Sequence, residues 1–135
     1  MLNTTQQQSA LFYSAAIFNW LACVMFFPGS GISSALGFTP LMTNGPFEQI
    51  ALLAIALFGF GYWMAARDFA ANRGIVILGG IGKAGVVAVM FGHYFFVGDV
   101  NLSQALLTLG DAVYLILFVI ALNAQSSQKG ALQSV

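Results

Sequence analysis

The chain alternates between long apolar stretches and short polar breaks. Four stretches stand out, at 9–27, 47–66, 74–97 and 102–122. Each is close to the roughly 20 residues that cross about 30 Å of hydrocarbon as an α-helix. A helix satisfies its own backbone hydrogen bonds, which lipid cannot do. The stretches are also too long, and too little alternating, to be strands of a membrane barrel. The expected fold is therefore all-α: a four-helix transmembrane bundle, with residues 1–135 forming one polytopic membrane domain. The first stretch is expected to be retained as a span. Its flank has no Lys or Arg, and its apolar part is longer than the core of a cleavable signal peptide.

Composition agrees with the pattern. Hydrophobic residues make up 59% of the chain and charged residues 6%, against about 45–50% and about 25% in soluble domains. Four Lys/Arg balance four Asp/Glu, so no basic field exists to hold nucleic acid. The lone Cys23 excludes an internal disulfide, and a single His excludes a multi-histidine metal site. The partner that the composition points to is the lipid bilayer.

Basic residues set the expected orientation. Arg67 and Arg73 flank the turn between the second and third stretches, and Lys129 lies in the C-terminal tail. The loops 28–46 and 98–101 hold no Lys or Arg. The positive-inside rule then places both termini and the Arg67/Arg73 turn in the cytoplasm, with the two arginines as inner-surface anchors to anionic headgroups. Phe26, Phe27, Phe38, Phe47, Tyr94, Phe95 and Phe96 are expected at the outer interface. Phe12, Tyr13, Tyr62, Trp63 and Phe69 are expected at the inner one. The prolines and glycines of loop 28–46 separate the first two spans, with room for a short interfacial helix over 30–36. The tail after Asn123 is expected to fray.

Three polar residues fall inside the spans: Asn19, Lys83 and Asp111. At helical rise Lys83 lies about 13 Å, and Asp111 about 17 Å, from the inner ends of their spans. Asn19 lies at a similar level. Charge in hydrocarbon needs a partner or a wet cavity, so a Lys83–Asp111 ion pair is expected, its hydrogen bonds completed by Asn19 or Tyr114. Gln104, Thr108, Asp111 and Tyr114 recur at spacings of three and four, which is one stripe of a helix. Ala15, Asn19 and Cys23 make a second such stripe. Three readings stand: a structural pair that fixes packing, a proton- or ligand-binding site at Asp111, and a Lys83 that snorkels to the surface.

The third stretch contains Gly79-Gly80-Ile81-Gly82-Lys83-Ala84-Gly85. Its Gly80-x-Gly82-x-x-Gly85 spelling lacks the strand–turn–helix context of a dinucleotide site. Gly80, Ala84, Ala88 and Gly92 instead form a small-residue face suited to close helix packing in lipid. At the outer ends His93, Glu48 and Asp99 offer a candidate metal set, against the plainer reading of His93 as an interfacial hydrogen-bonding residue. The residues name no catalytic group, and they leave the cofactor unknown.

The wording Ser34-Ala35-Leu36-Gly37-Phe38-Thr39-Pro40, followed by a second span ending in Arg67 and by two further spans, resembles the DoxX-like group of small four-helix bacterial membrane proteins, including its BphX-like members. The resemblance implies a bacterial inner-membrane protein. Some members of that group are linked to quinone-coupled sulfur or thiol oxidation, but this chain has no Cys-x-x-Cys. The first expectation for function is a non-enzymatic accessory or structural subunit, packed as a homo-oligomer or against another membrane protein. The alternatives are a binder or carrier of a small apolar molecule such as a quinone or lipid, a membrane subunit of a redox system, and a small proton-coupled transporter acting as an oligomer.

Overall fold

A computed structural model describes residues 5–36 and 45–133, with 126–133 as backbone alone. The described residues form helices and turns and no strand. The elements are α1 (Thr5–Phe26), the single turn α2 (Ile32–Ala35), α3 (Pro46–Arg67), α4 (Arg73–Gly92), a π-helical turn (His93–Val97), α5 (Leu102–Leu107) and α6 (Leu109–Gln133). Four segments are long and apolar enough to cross a membrane: Thr5–Phe26, Pro46–Arg67, Arg73–Val97 and Leu102–Gln125. The chain thus has the make-up of a small multi-pass membrane protein. The loop residues 37–44, Phe38 among them, lie outside the described residues.

Helix and apolar stretch differ at both ends of the chain. α1 begins four residues before the apolar run, at Thr5, and α6 continues to Gln133 where a frayed tail was expected. Gln, Ala, Leu and Lys are good helix formers, so polar flanks extend a helix that hydropathy alone would end. α3 starts at Pro46, whose fixed φ suits the first helical position. The turn into α4 is built by Asp68 and Asn72. Asp68 Oδ1 accepts from the Ala71 N–H at 3.0 Å, and Asn72 Nδ2 donates to the Asp68 carbonyl at 2.8 Å.

The third and fourth spans are interrupted. α4 widens into the π turn, where Gly98 N–H donates to the His93 carbonyl at 2.7 Å. Gly98 adopts φ +80°, the left-handed region that favours glycine. The fourth span breaks at Thr108. Both the N–H (3.1 Å) and the hydroxyl (2.7 Å) of Thr108 donate to the Ala105 carbonyl three residues back. A side chain bonding into the helical ladder is a recognised cause of a kink. α5 is held at its start by a reciprocal cap: Gln104 N–H to Asn101 Oδ1 at 2.9 Å, and Asn101 N–H to Gln104 Oε1 at 2.8 Å.

α1 lies along α3, α4 lies along α6, and α3 joins the two pairs by packing on α4. The first pair is stitched by side chains of α1 that donate to carbonyls of α3. Ser9 Oγ reaches Ala66 O at 2.7 Å, Asn19 Nδ2 reaches Ile55 O at 3.1 Å, Trp20 Nε1 reaches Ala56 O at 3.2 Å, and Cys23 Sγ reaches Leu52 O at 3.3 Å. Such bonds between membrane helices average about 0.6 kcal/mol each. Their order fixes α1 and α3 antiparallel and in register. The apolar core gathers toward the Arg67/Arg73 end, around Phe12, Ala15, Ala16, Tyr62, Ala65, Phe69, Val76 and Phe118. Phe12, Tyr62 and Phe69 are therefore core residues and not interfacial anchors, because α1, α3 and α6 converge on them. The opposite half is less closely packed, and a cavity lies there.

Candidate functional site: an ion pair beneath an apolar cavity

Lys83 Nζ lies 2.6 Å from Asp111 Oδ1 and donates to Asn19 Oδ1 at 3.2 Å. Asn19 turns its amide nitrogen to the Ile55 carbonyl. One polar chain therefore links α6, α4, α1 and α3 in turn. The Lys83 ammonium also stands over three rings: Phe18 at 5.1 Å, Tyr114 at 5.4 Å and Tyr62 at 5.5 Å from the centroids. Cations within about 6 Å of a ring face are stabilised by its quadrupole, by about 2 kcal/mol or more when desolvated. Lys83 is 4% exposed overall, while the Asp111 side chain is 19% exposed. The lysine does not snorkel to the Arg67/Arg73 surface.

Glycines admit the aromatic rings around the cation. A Cβ on Gly79 would run into the Tyr62 hydroxyl, and one on Gly110 would stand 2.6 Å from Phe18 Cζ. At Gly59 the same addition would meet Trp20 Nε1 at 2.6 Å. Each glycine is the gap into which a ring from a neighbouring helix is pressed.

Above the pair, away from the arginine end, a cavity of about 580 Å³ opens between the helices. Lys83, Asp111, Asn19 and Thr108 supply its polar floor, and Met25, Phe26, Ala54, Phe58 and Met90 are among its apolar walls. Leu21 and Val86 also line it, and they are exposed at 62% and 45%. The cavity therefore opens on the flank of the helices, onto the surface that faces hydrocarbon in a membrane. Its volume lies inside the about 300–1,000 Å³ of small-molecule sites, which share this apolar wall and small polar patch. The break at Thr108 opens on it and exposes Gln104, Leu107 and Asp111 to one space.

Tyr114 packs against Phe18 and Phe118 and contributes its ring, not a hydrogen bond, to Lys83. The small face of α4 makes no continuous contact within one chain. Gly80 is buried with Leu115 Cδ1 3.7 Å from its would-be Cβ, Ala84 is half-buried, Ala88 is exposed, and Gly92 faces open space. The closest approach falls at Gly79, because α4 meets α3 there through Tyr62. At the far end His93 Nδ1 pairs with Asp99 Oδ1 at 2.9 Å, both exposed. Glu48 does not join them, and no cluster of three metal-binding side chains exists among the described residues. Glu48 stands in the first turn of α3 with its carboxylate beside Gly45, on a different element. Arg67 is exposed and stacks over Trp63 at 5.0 Å, and Arg73 Nη1 donates to Gln125 Oε1 at 3.4 Å. Arg73 is thus tied to α6.

The sequence marks neither Phe18, nor the place of the Tyr62 ring beside Lys83, nor the cavity itself. The available signal was the set of mid-span glycines at 59, 79 and 110, each a gap awaiting a large neighbour. Comparison with family models, with curated proteins and with solved structures finds no match.

Proposed function

We propose that this chain is a small multi-pass protein of the bacterial inner membrane that binds a small apolar molecule between its helices. The observation that carries the reading is the flank-opening apolar cavity with an ion pair at its base. A ligand already dissolved in the bilayer enters such a site without crossing water. Native mass spectrometry from lipid nanodiscs tests this: a retained molecule is expected, and Val86→Trp, which fills the cavity, is expected to abolish its retention.

The orientation belongs to the same proposal. Arg67 and Arg73 share one end of the helices, and the positive-inside rule places that end, with both termini, in the cytoplasm. In a Cys23→Ala background, Ser34→Cys is expected to react with an impermeant maleimide on intact cells and Ala70→Cys only after lysis. The reverse pattern would overturn the orientation. The resemblance to DoxX-like proteins supports this reading through topology alone.

A second reading has a specific observation in its favour. Every buried side-chain N or O among the described residues has a hydrogen-bond partner. A satisfied network of that kind also suits a structural subunit whose ion pair only sets helix register.

A further inference from the structure

We infer that the cavity selects an uncharged amphiphile with a hydroxyl head, seated against Lys83 and Asp111 with its apolar body between α1, α3 and α4. This rests on the proposed binding function and adds the head-group chemistry.

Hydrogen-bonding capacity sets the head group. An ammonium has three N–H donors and no acceptor. Lys83 places two of them, on Asp111 Oδ1 and Asn19 Oδ1. Asp111 can accept at both oxygens, and the bond from Lys83 falls on Oδ1 alone. Both residues line the cavity. The floor therefore offers one donor beside one acceptor, on groups whose charges cancel.

A hydroxyl matches that pair, since it accepts through a lone pair and donates its proton. Its oxygen takes the third Lys83 N–H, and its O–H goes to Asp111 Oδ2. A carbonyl or ether oxygen satisfies only the lysine. A carboxylate brings a second negative charge beside Asp111, which like-charge repulsion disfavours. An ammonium head meets Lys83 in the same way. Along Leu21, Met25, Phe26, Ala54, Phe58 and Met90 the walls are apolar and accept an alkyl or isoprenoid chain.

The test uses four probes of equal chain length: dodecanol, its methyl ether, laurate and dodecane. Each is titrated into the full chain in phosphatidylcholine nanodiscs, and occupancy is read by native mass spectrometry. Dodecanol is expected to bind about tenfold or more tighter than the ether and the alkane, the worth of a hydrogen bond to a charged group. Laurate is expected to be weaker than dodecanol at neutral pH. In the double variant Lys83→Met/Asp111→Asn the alcohol should lose its advantage while alkane binding persists. Equal binding of all four probes, or tightest binding of laurate, would overturn the head-group inference and leave the binding function standing. Binding of none would overturn the binding function itself. The wild-type series decides the matter even if the double variant does not fold.

Discussion

Lys83→Met and Asp111→Asn are each expected to destabilise the protein by about 3–5 kcal/mol, the usual cost of leaving one partner of a buried ion pair alone. Lys83→Met leaves the Asp111 carboxylate without its cation and Asn19 Oδ1 without its donor. Asp111→Asn strands the ammonium, which keeps Asn19 and the three rings, so its loss should lie at the lower end of that range. The double variant removes both charges and is expected to recover much of the loss. Unfolding in mixed micelles measures all three. Additive losses would mean that the two groups do not stabilise each other despite their 2.6 Å separation.

Gly79→Leu is expected to be the most damaging single change on α4 outside the ion pair, by about 1–3 kcal/mol. The atom that a side chain would strike belongs to Tyr62, which is 1% exposed and held among Phe58, Phe118 and the Lys83 ammonium. The ring has nowhere to retreat. Ala88→Leu, on the same helix but exposed, is expected to leave thermal stability unchanged. If Ala88→Leu proves as harmful as Gly79→Leu, then the small face at Ala84 and Ala88 is itself a packed surface, covered by a second molecule.

The contrast between these glycines and alanines shows what the sequence discloses and where it stops. Span positions followed from hydropathy, because lipid demands long apolar helices and tolerates few exceptions. The Lys83–Asp111 level followed from helical rise, since two charges at one depth in a membrane have little else to pair with. Which small residues face a neighbour did not follow. Gly79, Gly80, Ala84 and Ala88 are alike in composition, and only the direction from which Tyr62 arrives separates them. Tyr62 and Phe12 look like interfacial rings by position along the span, yet converging helices draw them into the core. The break at Thr108 was hidden inside an apolar run, where a threonine hydroxyl bonding backwards leaves no mark in hydropathy. The cavity is the least legible feature of all, because it arises from how α1, α3, α4 and the broken fourth span pack together and not from any residue alone.

The claim that this cavity is a ligand site is tested most directly by weighing the protein out of lipid nanodiscs with its bound molecules intact. The account predicts a wild-type chain carrying a bound apolar molecule, retained by Val89→Trp, an exposed position outside the cavity lining, and lost in Val86→Trp, which fills it. A wild-type chain that emerges bare, or a bound molecule that survives Val86→Trp as readily as Val89→Trp, would contradict it.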